Sequence, residues 1–373
     1  MAKRKKKFSK ALTIFLAVLC FCMGATGGFY TYFKFTMPTA SDTYEPSANV
    51  YSTGDLVINF LELGNKYTGD CTYIKVGDTD VLIDAGSKAS SVPTIDKYLK
   101  EYVTDGTLEY VIVTHAHEDH YAGFATNEDA ESIFDLYECE VIIDFSQITS
   151  GKSEQKMYKN YIRERDAEVA AGATHLTAKE CKEQGTDTFD LGAGVELEIL
   201  DSYYYYHVSE TENDHSVCVM INQGDKHFLF TGDLEQKGEE KLVQMNKLPK
   251  VEVYKAGHHG SKTSSHEVLL EKIQPNIVCV CCCAGSSEYT KNTENQFPTQ
   301  AFIDRVAPYT DKVYVTTLCL DYSNGKFESM NGNIRVTSGV SGVSVSCSNN
   351  NTILRETAWF KQERTCPAAW KNK

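Results

Sequence analysis

No internal repeat runs through the 373 residues, which excludes a solenoid or a propeller, and there is no glycine-rich nucleotide-binding loop. Cysteine occurs thirteen times, but eleven of these lie after residue 34 at irregular spacing. An odd number cannot all pair within one chain, so a small disulfide framework is excluded. Positive charge is scarce beyond the N-terminus. Residues 1–34 carry seven positive and no negative charges, and without them the formal charge moves from −14 to −21. Such a surface repels polyanions at long range, although a local basic patch or bound cations could still hold a phosphate.

A hydrophobic content of 42% over 373 residues suits one large α/β domain with small additions. The N-terminus stands apart. Lys3, Arg4, Lys5, Lys6, Lys7 and Lys10 precede an uncharged run from Ala11 to Phe33, closed by Lys34. The run is long enough to cross a bilayer, with the basic cluster kept cytoplasmic and everything downstream extracytoplasmic. Small residues Gly24, Ala25, Gly27 and Gly28 offer the competing reading of a cleaved signal peptide, which would make the protein secreted. The expected organisation is a transmembrane anchor within 1–34, a linker over 35–55, a catalytic domain over 56–325, and a β-hairpin with a tail over 326–373.

Chemistry concentrates in Val111-Ile112-Val113-Thr114-His115-Ala116-His117-Glu118-Asp119-His120. The β-branched run reads as a buried strand that breaks at Thr114 into a loop holding three His and one Asp. Imidazole with carboxylate suits Zn²⁺, or Mn²⁺ and Fe²⁺ where oxygen ligands are numerous. The alternating spacing lets His115 and His117 face one ion while Asp119 and His120 face another.

Before this loop, residues 56–64, 69–77 and 79–86 read as a three-strand meander with glycine-marked turns, and residues 91–101 read as a helix. After it, 141–144 reads as a strand and 152–171 as a solvated helix. Residues 213–221 and 227–233 read as a hairpin ending in Thr231-Gly232-Asp233, and 235–245 as a helix. Residues 251–256 form a strand entering Gly257-His258-His259-Gly260-Ser261. Ile277 to Cys283 reads as an apolar strand in which Cys acts as a small hydrophobe, with a soft-metal or redox role for the cysteines as the alternative. Tyr203 to Tyr206 form either a partly exposed strand edge or an aromatic wall for a cationic group.

His-x-His-x-Asp-His at a strand end resembles the signature of the metallo-β-lactamase superfamily, which implies an αββα sandwich and, in most members, a two-metal hydrolase. Gly-His-His-Gly-Ser after a Thr-Gly-Asp strand is similar to the metallo-hydrolase domain of ComEC-type DNA-uptake proteins, and more weakly to bacterial phosphorylcholine esterases. The resemblance implies that Asp233 bridges two ions, that one or both of His258 and His259 bind metal, and that Asp84 braces the metal loop from behind. Superfamily enzymes often take a further His from the region before the Gly-Asp strand. His215 is the candidate here, either as a ligand or as a substrate contact. ComEC-type relatives commonly carry Gly-His-Pro where this chain has Asn295-Gln296-Phe297-Pro298-Thr299, which weakens the inference that the substrate is DNA. The other histidines, His175, His207, His227 and His266, read as surface or satisfied residues.

Together these features lead us to expect a membrane-anchored extracytoplasmic hydrolase with two divalent ions, Zn²⁺ first among them. It would cleave a phosphodiester, with Asp119 and Asp233 as catalytic groups. The alternatives are a hydrolase of another ester, such as a lactone or thioester, and a non-catalytic metal-binding surface protein.

Overall fold

The computed structural model describes residues 55–125 and 130–371. The expected membrane segment and nearly all of the linker lie outside these residues. Among the described residues no helix is long and apolar enough to cross a membrane.

Two eight-stranded sheets form the body. Strands β1 (Leu56–Phe60), β2 (Thr72–Val76), β3 (Thr79–Ile83), β4 (Thr107–Val113), β5 (Glu138–Asp144) and β6 (Thr174–Thr177) follow one another across the first sheet. Their order reflects local chemistry: an antiparallel meander over β1 to β3, then parallel pairing from β3 to β6. The second sheet repeats this plan. Strands β7 (Thr188–Gly192), β8 (Val195–Ile199), β9 (Val219–Gln223) and β10 (Lys226–Phe230) are antiparallel, and β11 (Val253–Lys255), β12 (Ile277–Ala284) and β13 (Val313–Asp321) continue in parallel to β10.

The C-terminal segment is not an appendage. β14 (Lys326–Ser329) pairs with β13, while the hairpin β15 (Ile334–Gly339) and β16 (Gly342–Cys347) adds to the first sheet beside β1. The boundary expected at residue 325 therefore does not separate two bodies. Paired edges explain why: a lone hairpin is marginal in water, whereas one added to a sheet satisfies its ladder.

Period-two burial decides the layers. In β12, Ile277, Cys279 and Cys281 join the core between the sheets, whereas Val278, Val280, Cys282 and Ala284 face the helical layer. Phe60 and Phe230 stack across the two sheets with centroids 6.1 Å apart, worth about 0.5–1.5 kcal/mol beyond their burial. Helix α1 (Val92–Leu99) and α3 (Lys156–Ala171), which lies beyond the short α2 (Glu118–Tyr121), bury Ile95, Leu99 and Tyr161 against the first sheet. Helices α4 (Gln236–Met245), α5 (Glu267–Ile273) and α6 (Gln300–Val306) cover the second, completing the αββα arrangement.

Two local expectations change. Tyr203–Tyr205 is a 3₁₀ turn rather than a strand, and Tyr205 is buried with its hydroxyl accepting the Cys218 N–H at 2.9 Å. The helix expected from residue 152 begins at Lys156, and Lys152 instead sits in a separate 3₁₀ turn, buried.

Candidate metal centre

The carboxyl ends of β3, β4, β10 and β11 deliver the histidines and all but one of the aspartates of the centre, the edge at which parallel strands present loops to ligands, and Asp70 enters from the segment before β2. β3 ends in Asp84, whose backbone is left-handed at φ 59°. Its carboxylate accepts Thr114 N–H and Thr114 Oγ1–H, each at 2.8 Å, and takes His120 Nδ1 at 2.7 Å. That bond leaves His120 Nε2 facing Asp233 Oδ2 at 3.2 Å. Asp84 thus fixes the orientation of the metal loop, the carboxylate–histidine arrangement that supports metal ligands.

β10 ends in Thr231-Gly232-Asp233, and Asp233 N–H donates to Ser216 Oγ at 3.1 Å. Four imidazoles then converge on one oxygen. Asp233 Oδ2 lies 3.2 Å from His120 Nε2, 3.3 Å from His259 Nε2, and 3.9 Å from both His115 Nε2 and His258 Nε2. His117 Nδ1 stands 2.9 Å from His115 Nε2, and Asp119 Oδ2 stands 3.4 Å from His259 Nε2.

The loop after β11 is strained to achieve this. His258 and His259 both adopt left-handed backbone at φ 47° and 55°, at a cost on the order of 1–3 kcal/mol each. Gly257 permits the close approach, since a Cβ there would lie 2.2 Å from Ser264 Oγ. His259 Nδ1 donates to the Cys281 carbonyl at 2.9 Å, which aims Nε2 into the centre.

Electrostatics divide the histidines. Burial and neighbouring His120 hold His115 well below its ordinary value, and burial likewise lowers His117 and His258, so their lone pairs are free. Burial opposes charge on His120 too, but Asp233 and Asp84 outweigh it and push the pKa up to about 10. His259 is raised in the same way by Asp233 and Asp70. Asp119 and Asp233, despite burial, are held ionised by these imidazoles.

These residues fit a divalent cation. His120 Nε2, His259 Nε2 and Asp233 Oδ1 are buried without a hydrogen bond of acceptable geometry, and orphaned buried groups of this kind are costly unless something binds them. The donor set of imidazole nitrogen and carboxylate oxygen is that of Zn²⁺ and its neighbours.

Asp70 and Lys255 join the centre without having been singled out in the sequence. Asp70 lies within 4.8 Å of donors on His120, Asp233 and His259. It meets the Nδ1 edges of His259, at 3.2 Å, and His120, at 3.7 Å, whereas the Nε2 atoms turn toward Asp119 and Asp233. We therefore place Asp70 behind the ligands. Lys255 Nζ contacts Asp70 Oδ2 and lies 4.0 Å from Asp233 Oδ1. A lysine inside the apolar run of β11 was the available signal, because a buried charge requires a partner.

His215 takes no part in the convergence on Asp233. It is fully buried, its Nε2 accepts Ser209 N–H at 2.8 Å, and its Nδ1 faces Glu212 Oε1 at 3.4 Å, so both ring nitrogens are committed. His175, His227 and His266 bond Asp144, Asn222 and Glu239, while His207 stacks on Tyr203. Phe297 packs 5.9 Å from both His258 and His259, an apolar wall at the position where the resemblance led us to look for His.

Residues 64–128 match the family described as Metallo-beta-lactamase superfamily, a match to part of the chain that agrees with the two-sheet fold and the cluster of possible metal ligands. The curated proteins to which it is similar include ones named for competence and recombination. The chain is 24% identical over 215 residues to ComE operon protein 3 of Bacillus subtilis, covering 56% of this chain and 23% of that protein. It is 34% identical over 87 residues to Recombination protein 2 of Haemophilus influenzae, covering 23% and 10%, and 34% over 128 residues to Competence protein ComA of Neisseria gonorrhoeae, covering 34% and 17%. The chain thus spans less than a quarter of the length of these curated relatives. Among solved structures it is similar to the metallo-beta-lactamase fold protein YhfI of Bacillus subtilis, at 11% identity and TM-score 0.40 over 74% of this chain and 99% of that one.

Proposed function

We propose that the chain is a two-metal phosphodiesterase whose ions would be held by the residues gathered around Asp233. The convergence of four imidazoles on Asp233 Oδ2 carries this reading. His115 and His117 would hold one ion, and Asp119, His120 and His259 the other, with His258 at the rim. Bound divalent cations lower the pKa of water, polarise the electrophile and neutralise charge on a leaving oxygen.

The chain's own groups do the rest. Asp119, ionised, orients the attacking water by accepting its hydrogen bond. Asp84 and the Cys281 carbonyl hold His120 and His259 in the tautomers that turn Nε2 inward. Phe297 excludes water from one side of the pair His258 and His259. A lactone or thioester remains the second reading, because a carbonyl oxygen is polarised by the same cations. We place the domain outside the cytoplasm, held at a membrane through residues 11–33, and we disfavour long nucleic acid as substrate because of the acid excess after residue 34.

Elemental analysis of the purified protein, alongside hydrolysis of bis(p-nitrophenyl) phosphate, p-nitrophenylphosphorylcholine and linear DNA, tests this. The expected result is close to two metal ions per chain with phosphodiester turnover that Asp233→Ala abolishes. Turnover confined to lactones or thioesters would overturn the phosphodiester assignment, and no metal and no turnover would leave a surface binding module.

A further inference from the structure

Residues 285–299 form the loop that follows β12, the strand whose Cys281 carbonyl orients His259. Gly285 N–H closes its base by donating to the Phe297 carbonyl at 2.9 Å, and Thr299 N–H ties its end to the metal loop by donating to the Gly260 carbonyl, also at 2.9 Å. The C-terminal tail adds a brace. Arg364 donates from Nη2 to the Gln296 carbonyl at 2.8 Å and from Nε to the Pro298 carbonyl at 3.0 Å. The loop is therefore fixed against the centre before any ligand arrives.

Tyr289 stands in this loop between two anchored neighbours. Glu288 accepts Thr68 N–H through Oε2 at 2.9 Å and donates its own N–H to Ser286 Oγ at 3.2 Å, while the Thr290 carbonyl accepts a hydrogen bond from Gln296 Nε2 at 3.3 Å. The side chain is held as well. Its hydroxyl donates to Asp119 Oδ2 at 2.8 Å, and its ring rests on Phe297 with centroids 5.6 Å apart. Phe297 in turn lies 5.9 Å from His258 and from His259. Despite these contacts Tyr289 is 57% exposed. The hydroxyl is committed to Asp119, so what the residue offers to an incoming molecule is the face of its ring. A ring fixed at its backbone, its hydroxyl and one side has already lost the rotamer freedom that a stacking contact would otherwise cost.

We propose that the exposed face of Tyr289 is a stacking platform for an aromatic ring, an aryl group or a nucleobase, carried on an ester oxygen of the phosphodiester. This deepens the phosphodiesterase reading given above and rests on it. The ring starts one hydrogen bond away from Asp119 and extends outward, so a phosphoryl group at the centre places its ester substituent alongside. Stacking requires a π-face and no positive surface, which suits a chain whose acid excess repels anions at long range. Tyr289 is thereby a specificity-determining residue. It favours aromatic over alkyl esters, through contacts between ring faces that an alkyl group makes less well.

The test is calorimetric titration of two matched pairs of ligands into the metal-loaded full chain: phenylphosphonate against methylphosphonate, and adenosine 5′-monophosphate against ribose 5-phosphate. The ring-bearing member of at least one pair is expected to bind about tenfold more tightly than its partner, and the pair that shows the preference tells an aryl group from a nucleobase. Tyr289→Ala should bring that ratio to about one. Tyr289→Phe keeps the ring and loses only the bond to Asp119, so it should keep most of the preference, and Tyr289→Leu serves as the ring-free variant if Tyr289→Ala does not fold. A preference in neither pair, or one that survives removal of the ring, would overturn the platform. So would equal losses for both members of a pair in Tyr289→Ala and Tyr289→Phe alike, the pattern of a hydroxyl that only positions Asp119. Turnover of bis(p-nitrophenyl) phosphate separates the two readings. Turnover without a ring preference removes the platform and keeps the enzyme, whereas a ring preference lost in Tyr289→Ala, without turnover, keeps the platform and removes the enzyme.

Discussion

Lys255 stands behind Asp233 as the only counter-charge in contact with Asp70 among the described residues' ion pairs with lysine or arginine. Burial disfavours the ammonium, but Asp70 and Asp233 outweigh it and raise its pKa, so it stays charged throughout the physiological range. Removing one member of a buried pair leaves the other uncompensated, and Lys255→Met is therefore expected to cost about 3–5 kcal/mol. In the double variant with Asp70→Asn part of that loss returns, which denaturant unfolding of the four proteins measures as a coupling energy. Glu212 gives a pH-dependent counterpart. Burial raises its pKa, but His215 and Thr149 outweigh burial and hold it below the usual 4.5. A depressed carboxylate contributes stability that is present above its unfolded pKa and lost as pH falls through the folded one. Stability measured across the acid range should therefore fall below pH 4.5, and Glu212→Gln should flatten that fall.

At the scale of elements, the loop after β11 and the strand β12 can each be tested. A Cβ at Gly257 would lie 2.2 Å from Ser264 Oγ and 2.9 Å from the Tyr254 hydroxyl. Gly257→Ala must push the His258–His259 turn out of place, with an expected cost of about 1–3 kcal/mol and a loss of bound metal that elemental analysis reads directly. In β12 the cysteines act as small apolar groups. Cys279, Cys281, Cys282 and Cys283 are buried and free, and burial pushes their thiols up in pKa. A thiolate-seeking reagent applied to the native protein should therefore leave these four unmodified and label them only after unfolding, which mass spectrometry of peptides resolves.

Across the whole molecule, metal binding and folding are linked. The centre concentrates Asp70, Asp84, Asp119 and Asp233 with four imidazoles that meet one carboxylate oxygen, and its two halves come from different sheets. A cation bound there holds the sheets together. Its removal by a chelator should lower the melting temperature, and readdition should restore it, by about 2.7 kcal/mol at a free metal concentration one hundred times Kd. In Asp233→Ala the chelator should no longer shift the transition, which scanning calorimetry with and without metal determines.

The sequence alone determined the metal loop, because His115, His117, Asp119 and His120 are neighbours along the chain and their residue types announce their chemistry. It also determined the opening three-strand meander and the apolar character of the cysteine-rich strand, since both are written as local periodicity and composition, whereas the parallel pairing within each sheet came only from the fold. Asp84, Asp233, His258 and His259 were legible through resemblance, each at the end of a recognisable strand. Tertiary structure decided the rest. Asp70, Lys255 and Tyr289 lie in three separate segments with no motif of their own, and only the tertiary fold brings them to one edge. His215 shows the converse: its residue type suggested a ligand, but which atoms face a histidine is set by packing, and here Ser209 and Glu212 occupy both of its nitrogens.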